Sequence, residues 1–170
     1  MTDMRPEKAC EIADDILEQT GQAMLRDDFD GFAQYFRLPH VIETPDRKTE
    51  LKTPDALRSV FDRVVEYYRN YRVTELIRFT EVGRFNGPTR IEYQHVTHMM
   101  SGNQRVLDPF PSYSVAELIG KTWLVTSSQY AVDKHTTVGR ALHLAEAEVL
   151  DPNGDLKRSG TPPIKKENLQ

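Results

Sequence analysis

Apolar residues in the first half of the chain recur at helical spacing. From Glu7 to about Arg26, Ile12, Ile16, Ala23 and Met24, with Ala9, Ala13 and Leu17 between them, mark one face of a first helix. Pro6 suits its first turn, where a missing N–H is harmless. Gly21 weakens that helix by about 1 kcal/mol relative to Ala and so points to close packing or a bend. Asp28 is a good N-cap for a short second helix carrying Phe29, Phe32, Ala33 and Phe36, which Pro39 is expected to stop. His40–Thr44, a turn at Pro45–Arg47 and Thr49–Lys52 then predict a small hairpin. Thr53-Pro54-Asp55 supplies the cap, first-position proline and first-turn acid of a third helix. Its stripe is Leu57, Val60, Phe61, Val64 and Tyr68.

The second half changes period. Val73–Arg84, Thr89–Met100, Arg105–Leu118 and Thr122–Val132 are rich in Val, Thr, Ile, Tyr and Trp, which fit a pleated, half-buried surface. Asn86-Gly87-Pro88, Ser101–Gln104 and Ile119–Lys121 are the turns. Pro109 and Pro111 interrupt the third strand, so a bulge or break is expected at Asp108–Pro111. Long half-apolar strands need a cover, and the preceding helices supply it. The expected fold is therefore α+β: a strongly curved, mostly antiparallel sheet with three N-terminal helices on its concave face, enclosing a pocket. The core domain spans 7–132. Val138, Ala141, Leu142, Ala145 and Val149 predict an extra C-terminal helix within 133–150, with a strand ending at the Asp151–Asp155 turn as the alternative. Residues 151–170 read as a polar tail.

Composition narrows the function classes. At 170 residues the chain has length for one domain with a sizeable core. Net charge is −4 with scattered basic residues, which argues against a nucleic-acid partner. A single cysteine, Cys10, gives no internal disulfide and no Cys-based metal site. No apolar run approaches the roughly 20 residues that span a bilayer, and Met1–Lys8 has no apolar signal core. A cytoplasmic location, no membrane partner and no cofactor are expected.

Several stretches together carry a family likeness: Asp28-Phe29-Asp30-Gly31-Phe32 with Tyr35-Phe36, Ile42-Glu43-Thr44-Pro45, Thr53-Pro54-Asp55-Ala56-Leu57 and Gly120-Lys121-Thr122-Trp123-Leu124-Val125. In this order the chain resembles the nuclear transport factor 2-like superfamily, in its SnoaL-like and ketosteroid isomerase-like branch. The resemblance implies a cone-shaped fold, a homodimer through the outer sheet face, and a small apolar, polyketide-like or steroid-like ligand. It also implies chemistry of the isomerase, dehydratase or cyclase kind. The isomerase's catalytic aspartate falls on Thr44 and its oxyanion-hole tyrosine on Thr20. Steroid isomerisation by that mechanism is therefore not expected. The dehydratase's histidine pair on neighbouring strands has no full counterpart either, since Arg105–Leu118 contains no histidine.

Three residues are candidate acid/base groups. On a strand His95 and His98 face opposite sides, and His95 shares a face with Tyr93 and Thr97. Its ordinary reading is a hydrogen-bonded structural or surface histidine. Glu43 is the carboxylate nearest the isomerase's catalytic position; its ordinary reading is a solvent-facing hairpin residue. Asp108, beside the expected break, ordinarily caps backbone ahead of a proline. Thr20, Phe32, Tyr93, Thr97, Tyr113 and Tyr130 are the expected pocket lining. No metal site is expected: the acidic runs at Asp27–Gly31 and Asp151–Asp155 lack calcium-loop spacing. The function that follows is a small-molecule-binding domain with an interior pocket, its proton-transfer version using Glu43, His95 or Asp108. The alternative is a non-catalytic dimeric interaction or scaffold module.

Overall fold

The computed structural model describes residues 2–132. The predicted helix in 133–150 and the polar tail of 151–170 lie outside the described residues. Three helices precede the main sheet: α1 (Pro6–Leu25), α2 (Phe29–Ala33) and α3 (Pro54–Asn70). The strands are β1 (Phe36–Thr44), β2 (Arg47–Leu51), β3 (Glu75–Phe85), β4 (Arg90–Ser101), β5 (Gln104–Arg105), β6 (Phe110–Ile119) and β7 (Thr122–Tyr130).

The main sheet runs β2-β1-β7-β6-β4-β3, with β5 paired to β4. Every pairing is antiparallel except β1 against β7, which is parallel. The sheet is curved, and its register shifts at Thr80/Val82 in β3, at Val115/Ala116 in β6 and between Phe36 and Val41 in β1. Such irregularities bend a sheet.

α3 forms as its sequence requires. The Thr53 hydroxyl caps Ala56 N at 3.1 Å, and Pro54 opens the first turn. Its buried face of Leu57, Val60, Phe61, Val64 and Tyr68 packs with Ile42, Met99 and Phe110 of the sheet. Burying each such side chain contributes roughly 1.5–3 kcal/mol. α1 lies over the other end, where Ala9, Ala13, Ile16 and Leu17 meet Ile91, Tyr93, Ala116 and Val125.

Two local expectations are corrected. Phe36 does not belong to α2. The short helix ends at Ala33, capped at its start by Asp28, and Phe36 opens β1 against Val125 of β7. Pro39 does not stop a helix but sits within β1, after a cis peptide, in the segment where pairing to β7 is suspended. A residue without an N–H is tolerated there. Arg105–Leu118 is broken near Pro109, as its prolines lead one to expect. It divides into β5 and β6, separated by 106–109, and Pro111 sits in the first rungs of β6 opposite Val96.

Candidate functional site

The concave face is built from strand rungs whose inward residues are set by register. Leu76 opposes Met99, and Arg78 opposes Thr97, which opposes Phe110. In the next rung Thr80 opposes His95, His95 opposes Ser112, and Ser112 opposes Tyr130. Directly opposed residues share a face. This face, roofed by α1, α2 and α3, encloses a cavity of about 90 Å³. One wall is apolar, with Phe32, Phe36, Ile42, Val60, Phe61 and Met99 among its residues. The polar lining consists of Thr20, His40, Tyr68, Arg78, His95, Thr97 and Tyr130. A single water needs about 10–15 Å³ of such space. The space therefore holds several waters or one small organic molecule.

Arg78 is the main feature that sequence patterning missed. The Arg78 Nη2 donates to Leu17 O and, at 2.9 Å, to Thr20 Oγ1. Thr20 in turn donates to Ile16 O at 2.7 Å. Gly21 is what lets the guanidinium approach α1: a Cβ there would stand 2.9 Å from Nη2. No carboxylate among the described residues forms an ion pair with Arg78. Burial lowers its pKa, opposed by the neighbouring Tyr68 and Tyr130 and, last and weakest, by exposed Glu18.

His95 is 3% exposed, and its Nδ1 has no hydrogen-bond partner among the described residues. Burial, with the Arg78 charge second, holds its pKa down to about 3, so the ring is neutral and a weak base. Thr80 Oγ1 and Ser112 Oγ, its neighbours in the same rung, are also buried and unpartnered. His40 is 2% exposed, and burial lowers its pKa to about 4. Its Nδ1 lies 3.3 Å from Val125 O. A carbonyl only accepts, so Nδ1 carries the proton.

The remaining sequence candidates fall elsewhere. Thr20, Phe32, His95, Thr97 and Tyr130 line the cavity. Tyr93 is buried one rung deeper, its ring 5.9 Å from that of His95. Tyr113 and Glu43 lie on the outer face, in the rung Gln94–Tyr113–Gln129–Glu43, where Gln129 donates to Glu43 at 3.0 Å. Their strand parity points them away from the cavity. Asp108 is an exposed residue of the β5–β6 connection. Thr44, at the isomerase's catalytic position, donates to Arg47 O at 3.5 Å within the β1–β2 turn. His98 faces outward, stacked on Phe79 at 6.0 Å. No group of three His, Cys, Asp or Glu side chains that could hold a metal occurs among the described residues.

The architecture has counterparts among solved structures. An NTF2-like protein of unknown function from Pseudomonas putida superposes with a TM-score of 0.57 at 11% identity, covering 77% of this chain and 90% of that one. A protein of unknown function with a cystatin-like fold from Nostoc punctiforme gives 0.57 at 10% identity, covering 75% and 92%. An NTF2-like protein of unknown function from Shewanella oneidensis gives 0.54 at 12% identity, covering 72% and 98%. The chain has the NTF2-like fold. No family model and no curated protein matches it. At these identities the likeness defines the architecture and no activity. Among the described residues, no helix is long and apolar enough to cross a membrane.

Proposed function

We propose that this NTF2-like domain binds a small molecule in its concave-face cavity. The observation that carries the reading is the pairing of an apolar wall with a buried, unpartnered His95 Nδ1 in one enclosed space. A buried polar atom without a partner costs about 1–3 kcal/mol. A bound ligand or ordered water that supplies the partner recovers that energy. Of the three acid/base candidates only His95 touches this space, and a base whose pKa is about 3 abstracts protons poorly near neutral pH. The reading therefore favours binding and orientation of the ligand over general-base catalysis. Native mass spectrometry of the purified protein tests it. A noncovalent small-molecule adduct is expected, and Val64→Trp, which fills the cavity, should abolish it. An adduct that survives Val64→Trp places the ligand elsewhere and overturns the reading.

The outer face supports a second element, a homodimer. Ile77, Phe79 and Val82 of β3 are 41%, 46% and 59% exposed, an apolar strip on the side of the sheet away from the helices. Such a strip is favourable to cover. Sedimentation should show a dimer that Phe79→Glu converts to monomer; a monomeric native protein contradicts it.

A further inference from the structure

Resting on the small-molecule reading, we infer that the ligand of the cavity is a small monocarboxylic acid with an apolar body, its carboxylate held by Arg78. The first support is an unbalanced charge. A guanidinium removed from water needs a counter-charge or a full set of acceptors. Arg78 has two acceptors, Leu17 O and Thr20 Oγ1, both reached by the same nitrogen. Its Nε and Nη1 have no acceptor among the described residues, and Arg78 lines the cavity. Nε and Nη1 project their hydrogens from different sides of the guanidinium, so either one offers a carboxylate oxygen a single charge-assisted hydrogen bond.

The second support is the distribution of polar groups around the guanidinium. Thr97 stands directly across the sheet from Arg78, and His95 lies one rung along the same face. Both line the cavity. In the Nδ1–H tautomer, the unpartnered His95 nitrogen donates to a carboxylate oxygen. The opposite wall, formed by Phe32, Val60, Phe61 and Met99 among others, suits an aromatic ring or a short aliphatic chain.

The third support is charge count. Arg78 is the only lysine or arginine among the lining residues, and His95 is neutral. One cation balances a monoanion; a phosphate dianion would leave negative charge in an apolar space. A neutral ketone or alcohol would leave Arg78 without a counter-charge.

Isothermal titration with benzoate and with its neutral, isosteric partner benzamide at pH 7 tests the inference. The native protein should bind benzoate at least tenfold more tightly than benzamide. Arg78→Met should remove that preference by weakening benzoate at least tenfold more than benzamide, and residual benzamide binding reports that the cavity is intact. Arg78→Lys should keep part of the preference. Equal binding of the two probes to the native protein overturns the carboxylate inference and leaves the small-molecule reading standing. So does a benzoate preference that persists in Arg78→Met. Absence of binding by both probes overturns both.

Discussion

The two faces of the sheet treat charge in opposite ways. On the outer face Arg84 holds Glu92 through contacts of 2.6 and 2.9 Å, Asn86 adds a third at 3.0 Å, and Arg90 reaches Glu117 at 3.1 Å. Arg37 completes the chain to Glu117 at 3.2 Å. Glu92 and Glu117 are each matched by arginines, and the Asn86 and Arg84 hydrogen bonds hold the Glu92 pKa down to about 2. On the inner face, among the described residues, Arg78 has no carboxylate and His95 no partner at Nδ1. Balanced charges at the rim are explained by folding alone. An unbalanced charge inside is unfavourable to the empty protein and is explained by something it binds.

The largest way to separate the faces is acid. His40 and His95 are neutral in the fold, with pKa values of about 4 and about 3 against an ordinary 6.5. The unfolded chain therefore takes up protons first as pH falls below 6.5. Stability is full above that point and declines toward the folded values. The loss between pH 6.5 and 4.5 should be roughly 2–3 kcal/mol per histidine. Glu92 acts only in a lower window, from 4.5 down to about 2. Denaturant melts at pH 6.5 and 4.5 check this, and a His40→Gln/His95→Gln variant should show a flatter profile over that interval. A native protein equally stable at both pH values contradicts the buried neutral histidines.

Next in size is the coupling of Gly21 to Arg78. Gly21→Ala should add about 1 kcal/mol through helix propensity alone. In the native background the new Cβ meets Nη2 and the gain should vanish. In Arg78→Met it should appear, and a double-mutant cycle measures the difference. Additive effects would mean that the close approach is unimportant.

Smallest are the charge removals themselves. Arg78→Met should leave the ligand-free protein as stable as the native one, or raise it by up to about 1 kcal/mol, because a buried unpaired charge is lost. Glu92→Gln should lower stability by about 1 kcal/mol or less, since Arg84 and Arg90 are free to turn to water. The contrast in sign is the point. A clear destabilisation by Arg78→Met would make Arg78 a structural residue like its outer counterparts.

The architecture was legible because its signals are local and redundant. The Thr53-Pro54-Asp55 cap, the stripe Leu57–Tyr68 and the alternation around Tyr93, His95 and Thr97 each specify an element and a face. Arg78 was not legible because a charged residue between Ile77 and Phe79 reads as outward. In the fold it points inward while those two apolar neighbours are exposed, and the register shift after Thr80 hides the parity of the strand. Gly21 was the available hint: a glycine inside a helix marks a close approach, but the sequence could not say to what. Phe36 and Pro39 misled for a different reason. A proline after an aromatic helical face looks like a stop, whereas tertiary pairing to β7 draws Phe36 into a strand.

Methionine methyl NMR gives the most direct test of the cavity as a ligand site. Met24 and Met99 line it, and Met4 is 51% exposed on the N-terminal segment. On titration with benzoate, saturable shifts are expected at Met24 and Met99 with the same midpoint, while Met4 stays in place. If Met24 and Met99 do not move, or if all three drift together without saturating, the cavity is not where small molecules bind.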